Sequence, residues 1–454
     1  MIDFSKIEGV VTYDDEGITI KIREIAAEPS PPVEPEPPPA PPQPARWSYP
    51  ALPADLICGP ADVAQLASLL SSVAGRPATL RVTLLDGIYN FPATVYPKLH
   101  DCIFTAAHGA NVIFNFNTSK NHGFFFTSAS AAKSVTFNRI RFTDLGTAAS
   151  TQGNFQLIKF DAGSFITFVE CEFDNSHASG VYSNSGASNL SFFGCIVRDN
   201  GFSTQFDHGC YMHSSGDGLL KFDKSFFVNN ASHALHCYEG STSDIELIHN
   251  IRVQDSMFLS YGEPQDRPII FADVTTPTTK VTNCNVNGCL FFNAHPTENP
   301  TEKDRNSIKF VNPVDCSFMD NITWNVPLIA PIGVAGGGNQ VIPPVSQSLH
   351  VRAYSLDDTA CRYVVSILNP GMASIVSVLV DAALDMPSGR YAVHSVAAPI
   401  GASPDYITYV AGQLIHFDMT RKYSKPQHRA DGFDFGTHRG ANAFRLIRLP
   451  DTFV

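Results

Sequence analysis

Seven segments in the middle of the chain repeat one pattern of apolar and polar positions. The first three are Phe137-Asn138-Arg139-Ile140-Arg141-Phe142, Phe168-Val169-Glu170-Cys171-Glu172-Phe173 and Phe192-Phe193-Gly194-Cys195-Ile196-Val197. Next come Phe222-Asp223-Lys224-Ser225-Phe226-Phe227, Val253-Gln254-Asp255-Ser256-Met257-Phe258 and Val286-Asn287-Gly288-Cys289-Leu290-Phe291. A weaker last copy is Phe318-Met319-Asp320-Asn321-Ile322-Thr323. Each opens on Phe or Val, usually has a small or polar residue three positions on, and closes on an apolar residue in all but the last copy. The starts lie 24 to 33 residues apart.

A unit this short cannot bury its own apolar face, so the units must stack. Asn or Asp often follows, as in Asp174-Asn175, Asp199-Asn200 and Asn229-Asn230, and these residues accept the left-handed backbone of tight turns. Strand and turn in alternation at this period predict a right-handed parallel β-helix over roughly residues 80 to 330. A β-propeller blade would need about 40 residues, longer than the observed period. Cys171, Cys195 and Cys289 fall in one column with Ile140, Ser225 and Ser256. That placement reads as a column of small interior residues and free thiols rather than disulfides.

The flanks divide the chain further. Gly9 to Tyr13 and Gly17 to Ile22 alternate around the turn signal Asp14-Asp15-Glu16-Gly17, which predicts a two-stranded element within residues 1–28. Two strands alone are marginal in water, so this segment is expected to dock on a partner or on symmetry mates. Residues 29–50 are a proline-rich linker, extended and semi-rigid. Residues 61–74 carry helical apolar spacing between Gly59-Pro60 and Gly75, expected to cap the first coil and cover its strand edges. The β-helix unit with this cap is taken as 51–330. Pro327 to Pro344, with Gly336-Gly337-Gly338, reads as a linker. Residues 345–454 carry short strand patterns with frequent turn signals and predict a C-terminal antiparallel β-sandwich. The fold class is thus all-β.

Composition narrows the partners. The chain of 454 residues has a formal net charge of −12 and no basic patch, which excludes the electrostatic footprint of a nucleic-acid binder. No apolar run reaches the ~18 residues of a membrane helix, so no membrane insertion is expected. The first residues, Met1-Ile2-Asp3-Phe4-Ser5-Lys6, lack a secretory signal pattern, and the ten cysteines show no paired CxxC units. Both fit assembly in a host cytoplasm.

At this point the coils resemble right-handed parallel β-helix proteins of the pectate-lyase-like superfamily. Asp207-His208-Gly209-Cys210-Tyr211 is similar to a His-Gly-hydrophobic-Tyr step found in many of them. Asn369-Pro370-Gly371, Val378-Leu379-Val380-Asp381, Gly389-Arg390-Tyr391 and Phe417-Asp418-Met419-Thr420 resemble an all-β module that follows such helices in some extracellular and phage proteins. The resemblance spans about residues 55 to 430. It implies a superfamily holding polysaccharide lyases, hydrolases, epimerases, phage tailspikes and adhesins. Fold alone does not choose among these. The anchor, spacer and body resemble the layout of phage fibres and spikes. That layout implies a virion protein attached to other virion proteins through residues 1–28, meeting host-surface polysaccharide, and admits a homotrimer. A full calcium motif or paired-Asp pattern is missing, so no catalytic residue is carried over.

The densest polar cluster is Asp207, His208, Tyr211, His213, Asp217, His233, His236, Tyr238 and Glu239. Strand alternation places Tyr211 and His213 on one face, with His208, Cys210 and Met212 on the other, and His236 with Tyr238 on a neighbouring strand. Tyr211, His213, Asp217, His236, Tyr238 and Glu239 are therefore the candidate glycan-binding or acid/base residues. Such a strip can stack on sugar rings, serve as acid and base in a lyase, or be a structural hydrogen-bonded ladder. No metal or other cofactor is assigned, because His208, His213, His233 and His236 lack the spacing of dedicated sites. Glu170 with Glu172, and Glu263, Asp266 and Asp273, are carboxylates that a hydrolase could pair; solvated surface charge is the reading taken.

Overall fold

The computed structural model describes residues 7–14, 17–24, 55–71, 80–116, 122–127, 133–145, 155–184, 187–201, 207–213, 218–230, 232–238, 247–260, 267–271, 280–293, 308–310, 312–326, 334–343, 346–357, 360–380, 384–398, 402–420 and 440–449. The proline-rich tract lies outside these residues. Ile7–Asp14 and Gly17–Glu24 pair antiparallel, with Asp14 opposite Gly17. The expected two-stranded element is therefore present.

Three long parallel sheets form the body, with 12, 10 and 7 strands among the described residues. The central coils each contribute one strand to each sheet. One coil, for example, runs Gly163–Val169, Glu172–Asp174 and Val181–Ser183, and the next runs Ala187–Phe193, Ile196–Arg198 and Cys210–His213. This is a parallel β-helix.

The repeat read from the sequence sets its register. The opening residues Phe137, Phe168, Phe192, Phe222, Val253, Val286 and Phe318 align rung upon rung in the first sheet. The closing residues Phe142, Phe173, Val197, Phe227, Phe258, Phe291 and Thr323 align in the second. Inside, Phe137, Phe168, Phe192 and Phe222 stack at centroid spacings of 5.3, 5.1 and 4.7 Å. Close stacking of fully buried rings adds to the stabilisation from area alone.

The corner between these two sheets explains the small-residue column. The third residue of every copy has positive φ: Arg139, Glu170, Gly194, Lys224, Asp255, Gly288 and Asp320, at 50 to 67°. The fourth residue then points inward, and in Cys171, Cys195, Ser225, Cys289 and Asn321 it bonds to the preceding coil. Cys171 and Cys195 donate to the carbonyls of Phe137 and Phe168 at 3.3 Å. The Ser225 hydroxyl donates to Phe192 at 3.2 Å, and the Asn321 amide to Val286 at 2.8 Å. In return, the Cys195 and Ser225 backbone N–H groups donate to Ser225 Oγ and Ser256 Oγ. The column is therefore selected for donor chemistry as well as size. A neighbouring Asn pair does similar work: Asn230 Oδ1 accepts from the Asn200 backbone N–H and side-chain amide at 3.2 and 3.0 Å.

Three boundaries differ from the sequence reading. Asp55–Cys58 is a strand that pairs with Leu80–Leu84, so the stack starts before the helix rather than after it. The helix begins at Val63 rather than at residue 61, after a 3₁₀ turn at Pro60–Asp62, and over Val63–Ser71 it seats Leu66 and Leu70 in the core. Inside the stretch read as a linker, Val334–Gly337 and Gln340–Val341 add another parallel coil. Gly338 (φ 64°) takes the positive-φ corner, and Asn339 donates to the Phe318 carbonyl at 2.6 Å. This Gly-rich copy carries the corner chemistry without the apolar periodicity that betrays the others.

The C-terminal region forms a five-stranded and a two-stranded antiparallel sheet. Tyr363, Val365, Ile367, Val376, Val378, Ile415 and Phe417 share the core between them. The five-stranded sheet also turns its other face onto the flank of the β-helix. Val364, Leu368, Ala441 and Ala443 pack there with Ile196, Phe226, Val228, Met257, Leu259, Leu290, Phe292 and Trp324. Both faces of the second helical sheet are thereby buried along Phe226–Val228, Met257–Ser260 and Leu290–Asn293. The helix corners give this interface its polar contacts, because their backbone carbonyls face outward. Arg445 donates to the Gly194 carbonyl, and Arg352 to those of Gly288 and Asp320.

The carboxylates Glu170 and Glu172 are accordingly not solvated surface charges. Glu170 is 7 % exposed and ion-paired with Arg362; Glu172 pairs with Arg198 at 2.5 Å. The positive-φ corner at Glu170 also separates it from the strand that begins at Glu172. Glu263, Asp266 and Asp273 lie outside the described residues.

Candidate functional site

The third sheet, of 7 strands, carries the candidate face. Its strands are short: Phe124–Phe126, Ile158–Phe160, Val181–Ser183 and Cys210–His213, followed by His233–Tyr238. Flanking positions such as Phe124, Phe126, Ile158, Phe160, Cys210 and Met212 point inward and are fully buried. The intervening position therefore points outward in every coil. Parallel register places Phe125 beside Lys159, Lys159 beside Tyr182, Tyr182 beside Tyr211, and Tyr211 beside His236. With strands ~4.8 Å apart, this row of five side chains runs about 19 Å along the helix.

The row is continuous. Tyr96, 45 % exposed, lies 5.7 Å from the Phe125 ring. The Lys159 ammonium stands 4.6 Å over the Phe125 ring and 5.7 Å over that of Tyr182, within cation–π range. Tyr182 meets Tyr211 at 5.5 Å, and Tyr211 meets His236 at 4.8 Å. A second outward rung stands beside it: Tyr238 lies 4.0 Å from Tyr211 and 5.3 Å from His213.

Hydroxyls and amides tie these rings down. The Tyr238 hydroxyl donates to the Tyr182 hydroxyl at 2.8 Å, which donates to Asn184 Oδ1 at 2.8 Å. The Asn184 amide in turn donates to Asp161 Oδ1 at 2.5 Å. Beside Phe125, burial and then the Lys159 charge push the His122 imidazole down to about 4, so it is neutral at neutral pH. The row is thus a rigid aromatic surface with one cation and a fixed set of donors and acceptors.

The fold brings together four of the six candidate residues. Tyr211, His213, His236 and Tyr238 share this face, while Asp217 and Glu239 lie outside the described residues. Tyr211 is partly exposed, whereas His213, His236 and Tyr238 are 6 to 9 % exposed. His208 departs from the alternation argument. It precedes the strand, in the turn, and its ring packs 4.8 Å from both Tyr211 and His236. A period of two holds only for strand backbone.

Sequence reasoning missed Tyr96, Phe125, Lys159 and Tyr182. A signal existed for Tyr182: Gly180-Val181-Tyr182 repeats the Gly209-Cys210-Tyr211 pattern one coil earlier. Lys159 and Phe125 sit in short apolar strands without a distinguishing neighbour, and only the register connects them to the tyrosines.

No protein-family model matches the chain, and no curated protein matches it. Some solved structures are similar to parts of it. The ORF18 protein of Geobacillus virus E2 is similar at 12 % identity and a TM-score of 0.41, over 68 % of this chain and 67 % of that one. An alginate lyase from a Paenibacillus species is similar at 12 % identity and a TM-score of 0.40, over 64 % of this chain and 95 % of that one. The Dettilon tailspike protein matches at 9 % identity and a TM-score of 0.28, over 86 % of this chain and 90 % of that one. The assignment as a parallel β-helix rests on the sheet order and register, not on these likenesses.

Among the described residues, no helix is long and apolar enough to cross a membrane.

Proposed function

We propose that this chain is a fibre or spike subunit of a phage virion, and that it holds host-surface polysaccharide along the row from Tyr96 to His236. The observation that carries the reading is the continuous outward row of Tyr96, Phe125, Lys159, Tyr182, Tyr211 and His236. Flat apolar ring faces stack on the C–H faces of sugars, and the interleaved Lys and Tyr groups bond to hydroxyls or an acidic substituent. A row that crosses successive coils suits a polymer better than a single sugar. The strand pair at 7–24 and the proline-rich residues 29–50 support an arm that docks on other virion proteins.

Binding is favoured over cleavage because glycoside hydrolysis needs two carboxylates about 5 to 10 Å apart across the bond. Glu170 and Glu172 are consumed by arginines at the C-terminal interface. A lyase that uses Tyr211 or His236 as acid or base is the alternative reading.

The test is to present a panel of bacterial surface polysaccharides to purified protein, measuring retention on immobilised protein and chain length by size exclusion. Retention of intact polymer, weakened by Tyr182→Ala and Tyr211→Ala, is the expected result. Shortened polymer whose formation is lost in His236→Ala would replace this reading with the lyase. Neither retention nor shortening would leave a purely architectural subunit.

A further inference from the structure

At the upper end of the aromatic row, three imidazoles converge, one of them the row's own His236. Cys210 aligns with Leu235, so His208 and His233 occupy the same corner position in successive coils. His236 reaches them from the strand that His233 begins. All three are buried, at 2, 6 and 6 % exposure. His208 Nδ1 lies 3.3 Å from His233 Nδ1, and His208 Nε2 lies 3.2 Å from His236 Nδ1. The ring centroids are 4.8 to 4.9 Å apart in each pairing.

We propose that His208, His233 and His236 bind one divalent transition-metal ion of the zinc class, clamping two successive coils together. Imidazole nitrogens are the ligand type that such ions prefer. Zinc–nitrogen bonds of about 2.0 to 2.1 Å in a tetrahedron put ligand atoms about 3.3 Å apart, close to the 3.2 Å between His208 Nε2 and His236 Nδ1, while His208 Nδ1 accepts the His233 backbone N–H at 3.2 Å. One ligand atom from each histidine can be chosen so that all lie within 4.8 Å of one another. His233 Nδ1 is already positioned, 3.2 Å from Ser232 Oγ. The chain spacing hides the site, because its ligands are 25 and 28 positions apart.

The histidines sit on a rigid frame that resists collapse of the site. Gly209 leads from His208 into the strand, and its N–H donates to the His233 carbonyl at 2.9 Å. A Cβ at Gly209 would stand 2.5 Å from the Ala234 carbonyl oxygen, so the two corners approach too closely for any other residue.

The test uses full-length protein stripped with a chelator and then titrated with Co²⁺ or Zn²⁺ alone. Wild-type protein is expected to bind one Co²⁺ per chain with the visible absorption of a low-symmetry nitrogen site, and Zn²⁺ is expected to raise its Tm by several degrees. His208→Gln and His236→Gln should lose both effects while keeping the wild-type far-ultraviolet circular dichroism. His416→Gln, on the distant two-stranded sheet, should keep both. Wild-type protein that takes up no ion overturns the proposal by itself, whatever the variants do. So does uptake that persists unchanged in His236→Gln.

Discussion

Arg362, in the C-terminal five-stranded sheet, grips the carboxylate of Glu170, at a β-helix corner 192 positions earlier, through Nε at 2.8 and 2.7 Å and through Nη2. The side chains are only 12 and 4 % exposed. This contact joins the two units across their shared apolar face, so they are expected to unfold together.

Removing one partner leaves a buried charge unpaired. Arg362→Ala is expected to destabilise the protein by about 3 to 5 kcal/mol. The double variant Arg362→Leu with Glu170→Gln should recover most of that loss, because no bare charge remains. Denaturant unfolding followed by fluorescence and by circular dichroism checks both points. Two separate transitions in the wild type would show that the units are not coupled.

The aromatic row predicts a graded effect on polysaccharide retention. Tyr182→Ala and Tyr211→Ala should each weaken binding by about tenfold, or 1.4 kcal/mol, near the upper end of what one aromatic contact contributes. Lys159→Met keeps the stem but removes the charge. Its loss of binding should be larger for an acidic polymer than for a neutral one, and should shrink in high salt. Equal losses for both polymer types would remove Lys159 from the site.

The inward column predicts which cysteine substitutions are tolerated. Cys195→Ser should change stability by less than about 1 kcal/mol, since Ser225 and Ser256 occupy the same column. Cys195→Val removes the donor to the Phe168 carbonyl and adds volume to a packed corner, which should cost about 2 kcal/mol or more. Burial also pushes the Cys171 and Cys289 thiols up to about 12. A thiol reagent at pH 8 should therefore label Cys361, which is half-buried, before Cys171 or Cys289. Rapid labelling of Cys195 in native protein would contradict the packed column.

Acid should loosen the same interface. Burial alone would raise the Glu172 carboxyl, but Arg198, with Arg141 and Arg445, brings it down to about 2. A carboxyl depressed on folding stabilises the protein above its unfolded value and loses that contribution as pH falls through the folded value. The contribution from Glu172 is thus complete above about pH 5 and fades towards pH 2. Neighbouring Asp174, raised by burial against the pull of Arg141, works in the opposite direction. Glu172→Gln should flatten the fall in unfolding midpoint over this window. An unchanged slope would place the acid sensitivity elsewhere.

Part of the molecule is written in its sequence. The Phe and Val openings and apolar closings repeat at the coil period, and their register in the structure follows the sequence alignment from Phe137 to Thr323. That works because stacking identical positions buries each coil's apolar face, and only one register does so. Corner chemistry was legible as Asn, Asp, Gly and small residues, although the donor role of Cys171 or Ser225 needed the neighbouring carbonyl to be seen. The coil at Gly336 to Asn339 was not legible, since glycine shows no apolar pattern while its backbone pairs as well as any other.

Tertiary structure alone decided the rest. Outward positions in short strands carry no periodic burial signal, so Tyr96, Phe125 and Lys159 joined Tyr182, Tyr211 and His236 only through stacking. His208, His233 and His236 converge because a coil returns the chain to the same corner, a closeness that linear spacing does not encode. The docking of the C-terminal sheet was equally hidden. The outward residues of Phe226–Val228 and Leu290–Asn293 are apolar because another sheet covers them, and local sequence does not tell an outer face that is covered from an inner one.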